Sequence, residues 1–202
     1  MEDLPPRLTN EVIKVGVIVG AGTGRRLADI FKTFLQGLVD AYSDRPIKFE
    51  FDMNDDGSEY MYHSYQSLLD AAGDDTTKFD KLSTEQAERL VDLTTKWYGE
   101  GVRTIFRTSV NAEALYLFRQ KVKAVKEFGL ETNSGSRILF VRDQAEGFYA
   151  NESYRIENDA EIHFNGSFTK AHQQQVSEYA LQAALRFIGE NRFRKWALYK
   201  HH

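Results

Sequence analysis

The chain has 202 residues, 42% of them hydrophobic, and a net charge of −4, which gives enough apolar chain to bury a core in one large domain or two small ones. The absence of cysteine excludes a disulfide framework and a thiolate nucleophile. The acidic balance, with no basic cluster longer than Arg192-Phe193-Arg194-Lys195, argues against nucleic acid and anionic membrane as partners.

No stretch approaches about 18 consecutive apolar residues, and Met1-Glu2-Asp3-Leu4-Pro5-Pro6 lacks the cationic start and apolar stretch of a signal peptide. A cytoplasmic protein is expected. Residues 12–19, Val-Ile-Lys-Val-Gly-Val-Ile-Val, are β-branched and nearly all apolar, the mark of a strand buried on both faces. Gly20-Ala21-Gly22-Thr23-Gly24-Arg25-Arg26 follows, and then a helix with Leu27, Ile30, Phe31, Phe34, Leu35, Leu38 and Val39 on one stripe facing the sheet. The glycines do not keep the spacing of a dinucleotide fingerprint or a P-loop. A tight strand-to-helix turn is therefore the reading the residues favour, with phosphate on the helix amides as the alternative.

Residues 47–51 alternate as a half-exposed strand, and Asp52-x-Asn54-x-Asp56-Gly57 begins like a calcium loop but has His63 where the bidentate Glu would fall. The stretch 59–80 is irregular, with one short helix around 64–69. Ser83-Thr84-Glu85-Gln86 is a capping box that predicts a helix through Ala87, Leu90, Val91 and Trp97, ended by Gly99-Glu100-Gly101. Residues 102–107 are a third strand candidate. Thr108-Ser109-Val110-Asn111 then offers hydroxyls and an amide, ordinarily an N-cap, before a helix carrying Leu115, Phe118, Val122 and Val125 on to Gly129.

Residues 138–141, Ile-Leu-Phe-Val, predict a buried strand of a parallel sheet that delivers Arg142, Asp143, Glu146 and Tyr149 at its end, where open α/β sheets place ligands. The plainer alternative pairs Arg142 with Asp143 or Glu146 on a surface. Residues 150–170 alternate around Asn165-Gly166, a hairpin signal. Val176, Tyr179, Ala180, Ala183, Ala184, Phe187 and Ile188 predict a helix closed by Gly189, and Trp196-Ala197-Leu198-Tyr199 predicts a last strand delivering Lys200.

Arg142-Asp143-Gln144-Ala145-Glu146-Gly147-Phe148-Tyr149 resembles the Arg-Glu-Asn-x-Glu-Gly-x-Tyr motif of the isocitrate and isopropylmalate dehydrogenases, the β-decarboxylating dehydrogenase family. Gly20-Ala21-Gly22-Thr23-Gly24 is similar to that family's opening glycine loop, without its Asp and Pro-Glu. Ser109-Val110-Asn111 with Leu117-Phe118-Arg119-Gln120 is similar to a region contacting substrate and nicotinamide there. The resemblance implies an α/β fold, an isopropylmalate dehydrogenase-like α/β/α sandwich, incomplete, with an edge β-hairpin arm of clasp type. Residues 1–130 would form the N-terminal part of the large α/β domain, and 131–202 a small central domain with the hairpin arm.

It further implies oxidative decarboxylation of a malate-like 2-hydroxy acid of the isocitrate, isopropylmalate or tartrate class. In that chemistry Arg142 and Arg119 hold carboxylates, Tyr149 is the acid, and Lys200 assists removal of the hydroxyl proton. Ser109 and Asn111 contact the cofactor, NAD or NADP, and Mg2+ or Mn2+ assists. A second family Arg falls on Gly129, so one carboxylate contact is expected to be lost or shifted. The metal ligands and adenosine loop of the family have no counterpart here, no residue of this chain is assigned as a metal ligand, and the chain alone is expected to be inactive. A homodimer through the 150–170 hairpin, or a hetero-oligomer, is implied. The alternative is a non-catalytic regulatory or assembly subunit of the same family.

Overall fold

Strand β1, Ile13–Gly20, is the axis of the first half of the chain, as its unbroken β-branched run requires. In a computed structural model the structure describes residues 12–42, 45–150, 152–155 and 162–191. β2, Ile47–Phe51, β3, Met61–Tyr62, and β4, Thr104–Arg107, all pair with β1 in parallel. Alternation along β1 divides its side chains between two cores. Val17 and Val19 meet Ala28 of helix α1, Gly24–Tyr42, together with Phe49, Phe51 and Phe106. Ile18 meets Tyr62 and the Leu90, Leu93 and Trp97 side chains of helix α3, Thr76–Gly99. The fold class is mixed α/β, with helices on both faces of this sheet.

Gly16 lies where the second core is tightest, since a Cβ there would sit 2.4 Å from the Trp97 ring. Helix α2, Tyr65–Ala72, is capped by Ser64, whose hydroxyl accepts from the Ser67 amide. α3 starts seven residues before the capping box expected at Ser83. Asp75 caps it by accepting from the Lys78 amide, and Ser83 lies inside the helix, fully buried, accepting from the Asn111 amide group at 2.9 Å. The stripe expected on α1 is helical but does not all face the sheet. Phe31 stacks on Phe106 with centroids 3.7 Å apart, whereas Leu27, Ile30, Phe34 and Leu38 are 40% to 65% exposed.

The chain divides into two compact units, Met1–Phe118 and Arg119–His202. Helix α4, Ala112–Lys121, does not run on to Gly129 as its apolar spacing predicts. Lys123 turns into the left-handed region at φ 52, and the Ala124 amide closes back on the Arg119 carbonyl at 2.9 Å, a helix stop made without glycine. The chain beyond is strand β5, Val125–Glu131, antiparallel to β6, Arg137–Asp143. β6 is thus one arm of a two-stranded hairpin with alternately exposed side chains, and not the buried parallel strand expected from its apolar letters. A second hairpin joins β7, Glu152–Arg155, to β8, Ile162–Asn165. Asn165 pairs with Glu152 at the open end of that hairpin, so Asn165-Gly166 is not its turn. Helix α5, Lys170–Asn191, ends the described chain, without a stop at Gly189.

Candidate functional site

The second unit presents its chemistry where β6 ends. Antiparallel register sets Lys126 opposite Arg142, Phe128 opposite Phe140 and Leu130 opposite Ile138, so these six share one face. The acids alternate onto the other face, where α5 lies. There the Tyr179 hydroxyl donates to Glu127 at 2.7 Å, and Arg186 approaches the same carboxylate at 3.4 Å. Asp143 is bonded to His172 Nε2 at 2.9 Å and accepts from Gln173 Nε2 at 3.0 Å and from the Ala145 amide at 2.8 Å.

Beyond Asp143 the chain is fastened to the start of α5. The two oxygens of buried Glu146 accept from the Thr169 amide and hydroxyl, each at 2.7 Å, with Lys123 Nζ 3.7 Å away. The Gly147 amide donates to the Ser167 carbonyl at 3.0 Å. Gly147 itself has φ 64 and packs against the Phe168 ring, which a Cβ would approach to 2.3 Å, so both its backbone and its surroundings require glycine. The turn Gly147–Tyr149 then swings Tyr149 back toward β6, and Gln120 Nε2 donates to the Tyr149 carbonyl. The Arg142 guanidinium lies 5.2 Å from the Tyr149 ring centroid. The surface ion pair with Asp143 or Glu146 does not form, because both carboxylates are turned to α5.

Burial alone would raise the Asp143 carboxyl. The Ala145 amide, His172 and Gln173 outweigh it and hold the group below its ordinary 3.8. Burial likewise opposes, and the Thr169 amide and hydroxyl outweigh, a shift of Glu146 to below 4.5. Both groups are depressed in the folded state, so their stabilisation is complete above the ordinary carboxyl values and is lost as pH falls through the folded ones. Acidification below about pH 4 should release the 143–149 turn from α5. Amide hydrogen exchange at Gly147 and Thr169 against pH reads this; unchanged protection down to pH 2.5 would contradict it.

Asp143, Glu146 and His172 bring donor atoms within 4.8 Å of one another, but every carboxylate oxygen already accepts a hydrogen bond from this chain. The cluster is a tie between the turn and a helix end, and it does not fit a hard divalent cation, which needs open oxygen ligands. Sequence reasoning missed His172 and Thr169. The period-two alternation of 137–143 would have shown that Asp143 and Arg142 face opposite ways, but not what Asp143 meets.

Ser109 and Asn111 belong to the first unit. Asn111 is fully buried, its amide donating to Ser83 and its carbonyl accepting from the Glu113 amide, an N-cap of α4. Ser109 is exposed, and its carbonyl presses on Gly20, where a Cβ would come within 1.7 Å. Gly24 is similarly close to Thr108 Oγ1. Gly20 and Gly24 are packed against the end of β4, while Gly22 between them is open to solvent. Arg119 occupies the last turn of α4 beside Gln120, half-buried. Lys200, with the strand expected at 196–199, lies outside the described residues.

No protein-family model matches the chain, and no curated protein matches it. No described helix is long and apolar enough to cross a membrane.

Proposed function

We propose that the chain is the N-terminal portion of a cytoplasmic, NAD(P)-dependent, metal-assisted oxidative decarboxylase acting on a malate-like 2-hydroxy acid. The observation that carries this reading is the meeting of the Arg142 guanidinium and the Tyr149 ring at the end of β6. A guanidinium receives a planar carboxylate through two parallel N–H bonds, and a neighbouring phenol is the kind of group that returns a proton to carbon after carbon dioxide leaves. Burial of Ala145, Glu146 and Gly147 between them, with Tyr149 anchored through Gln120, keeps the pair from drifting apart.

The incomplete α/β/α sandwich of this proposal is favoured by the first unit. Among the described residues β4 pairs only with β1, and beside that open edge lie the outward Leu27, Ile30 and Phe34 of α1. An open parallel edge flanked by apolar side chains is an unfinished sheet in physical terms. The β7–β8 hairpin is the arm through which two copies, or this chain and a related one, would meet. The Asn111 amide is engaged and the carboxylate oxygens of Asp143 and Glu146 are all bonded, so no step of the chemistry is assigned to a nicotinamide or a divalent cation. The engaged Asn111 amide and the packing at Gly20 and Gly24 favour a second reading, a non-catalytic regulatory or assembly subunit that keeps the acid-binding pair.

Chemical-shift titration of the chain with isocitrate, 3-isopropylmalate and tartrate tests the acid site. One acid should shift the resonances of 140–149, and Arg142→Gln should weaken its binding by roughly tenfold or more. Equal binding by the variant would remove Arg142 from the site.

A further inference from the structure

We propose that Lys126 is the second cation of this acid site, and that the stacked Phe128 and Phe140 beside it select an acid with an apolar branch. The inference rests on the Arg142 reading above and extends it to three residues that the sequence resemblance does not assign.

The β5–β6 register places Lys126 directly across from Arg142. Opposed residues on antiparallel strands have Cβ atoms about 4.5–5.5 Å apart, and like charges in that position repel. A hairpin ordinarily relieves such a pair with an acid on the same face. Here Glu127 and Asp143, the nearest acids of the two strands, are on the other face and bound to α5. Among the described residues Lys126 and Arg142 have aromatic rings for neighbours and no carboxylate: Lys126 Nζ is 5.1 Å from the Phe128 ring centroid, and Arg142 Cζ is 5.2 Å from that of Tyr149. Both side chains are exposed, so a ligand reaches them without displacing an existing ion pair.

Two adjacent cations without an anion are best neutralised by a ligand carrying two carboxylates. The guanidinium takes one in a bidentate grip, and the ammonium on its flexible stem takes the other as a point charge.

The next rung of the ladder sets the selectivity. Phe128 and Phe140 stack at 5.0 Å with planes 8° apart, and they are 37% and 42% exposed. A substituent reaching from the two carboxylates along the hairpin therefore meets the exposed surface of this ring pair. A hydroxyl or a third carboxylate there would be desolvated without a partner, while an alkyl group would remove apolar surface from water.

The test is a chemical-shift titration of the full 202-residue chain with 3-isopropylmalate and, separately, with tartrate, in the wild type and in Lys126→Ala, Lys126→Arg, Lys126→Glu and Arg142→Gln. Lys126→Ala should weaken 3-isopropylmalate roughly tenfold, Lys126→Arg should restore most of the loss, and Lys126→Glu should take binding out of range. The wild type should prefer 3-isopropylmalate to tartrate. Lys126 is on an exposed strand position, and spectral dispersion shows directly that each variant is folded. Wild-type affinity in Lys126→Ala, with binding lost in Arg142→Gln, would overturn the role of Lys126 and leave the acid reading standing. Tartrate binding as tightly as 3-isopropylmalate would overturn the role of the two phenylalanines. No shift with either acid in the wild type would overturn the inference together with the reading beneath it.

Discussion

Replacing Gly20 by Ala is expected to destabilise the first unit by about 3 kcal/mol, near the upper end of what overpacking costs. A Cβ at this position would lie 1.7 Å from the Ser109 carbonyl oxygen and 2.8 Å from its carbonyl carbon. Both contacts are with backbone, which cannot swing aside as a side-chain end can. The ends of β1 and β4 must therefore separate. That separation strains the bond from the Gly20 amide to Thr108 Oγ1 at 2.7 Å and the bond from the Thr108 amide to the Ile18 carbonyl at 3.0 Å. The glycine is needed for close approach, not for an unusual backbone angle. Urea denaturation reads the loss as a lower midpoint with an unchanged slope. A change below about 0.5 kcal/mol, the range of ordinary surface substitutions, would show that the two strand ends are not in contact.

Arg89→Ala is expected to cost a similar amount, about 3 kcal/mol, through a different mechanism. Arg89 grips Asp52 with both ends of its fork, Nε to Oδ2 at 2.8 Å and an Nη to Oδ1 at 2.9 Å. Asp52 is only 7% exposed, and its remaining strong partner is the Tyr62 hydroxyl at 2.8 Å. Burial, with the Asp52 carboxylate alongside, pushes the Tyr62 phenol far above its ordinary value, so it serves Asp52 as a donor at every ordinary pH. Without the guanidinium, a buried carboxylate keeps one neutral donor, and Tyr60 loses the cation 3.7 Å above its ring. The arginine side chain is 35% exposed, which lets water in and keeps the cost at the lower end of the range for breaking a buried pair. The double variant Asp52→Asn, Arg89→Ala should recover part of the loss, because the two positions share one interaction. Additive losses in thermal or urea unfolding would refute the coupling.

The parts of the fold that were legible in the sequence are those where one pattern had one structural meaning. The run at 13–19 is such a case: seven residues, β-branched or small apart from Lys14, fit a strand covered on both sides, and Val17, Val19 and Ile18 reach two separate cores. α1 is another, although its stripe was too broad for one sheet face to cover, and the excess remains on the surface at Ile30 and Phe34. The second unit was harder for a physical reason. Leu115, Phe118, Val122 and Val125 keep helical spacing straight across the real end of α4, and the stop at Lys123 carries no glycine to announce it. With β5 hidden inside an apparent helix, β6 had no visible partner, and its apolar letters suit a buried strand as well as an exposed hairpin arm.

The proximity of Arg142 and Tyr149 was legible because one motif of eight residues carries both; the tie to α5 was not, since His172 and Thr169 lie more than twenty residues beyond Asp143 and Glu146. Asn111 was ambiguous in the sequence. Its position before a helix admits both an N-cap and a cofactor contact; its carbonyl caps the helix by accepting from the Glu113 amide, and its amide is engaged by Ser83, far away in the chain.

The most direct measurement of the acid site is the set of intermolecular nuclear Overhauser effects between 3-isopropylmalate and the chain. The expected result is contact from the alkyl protons to the rings of Phe128 and Phe140, and from the backbone protons of the acid to the ring of Tyr149. Contacts confined to the first unit, or none while binding is saturated, would contradict a dicarboxylate held between Arg142 and Tyr149.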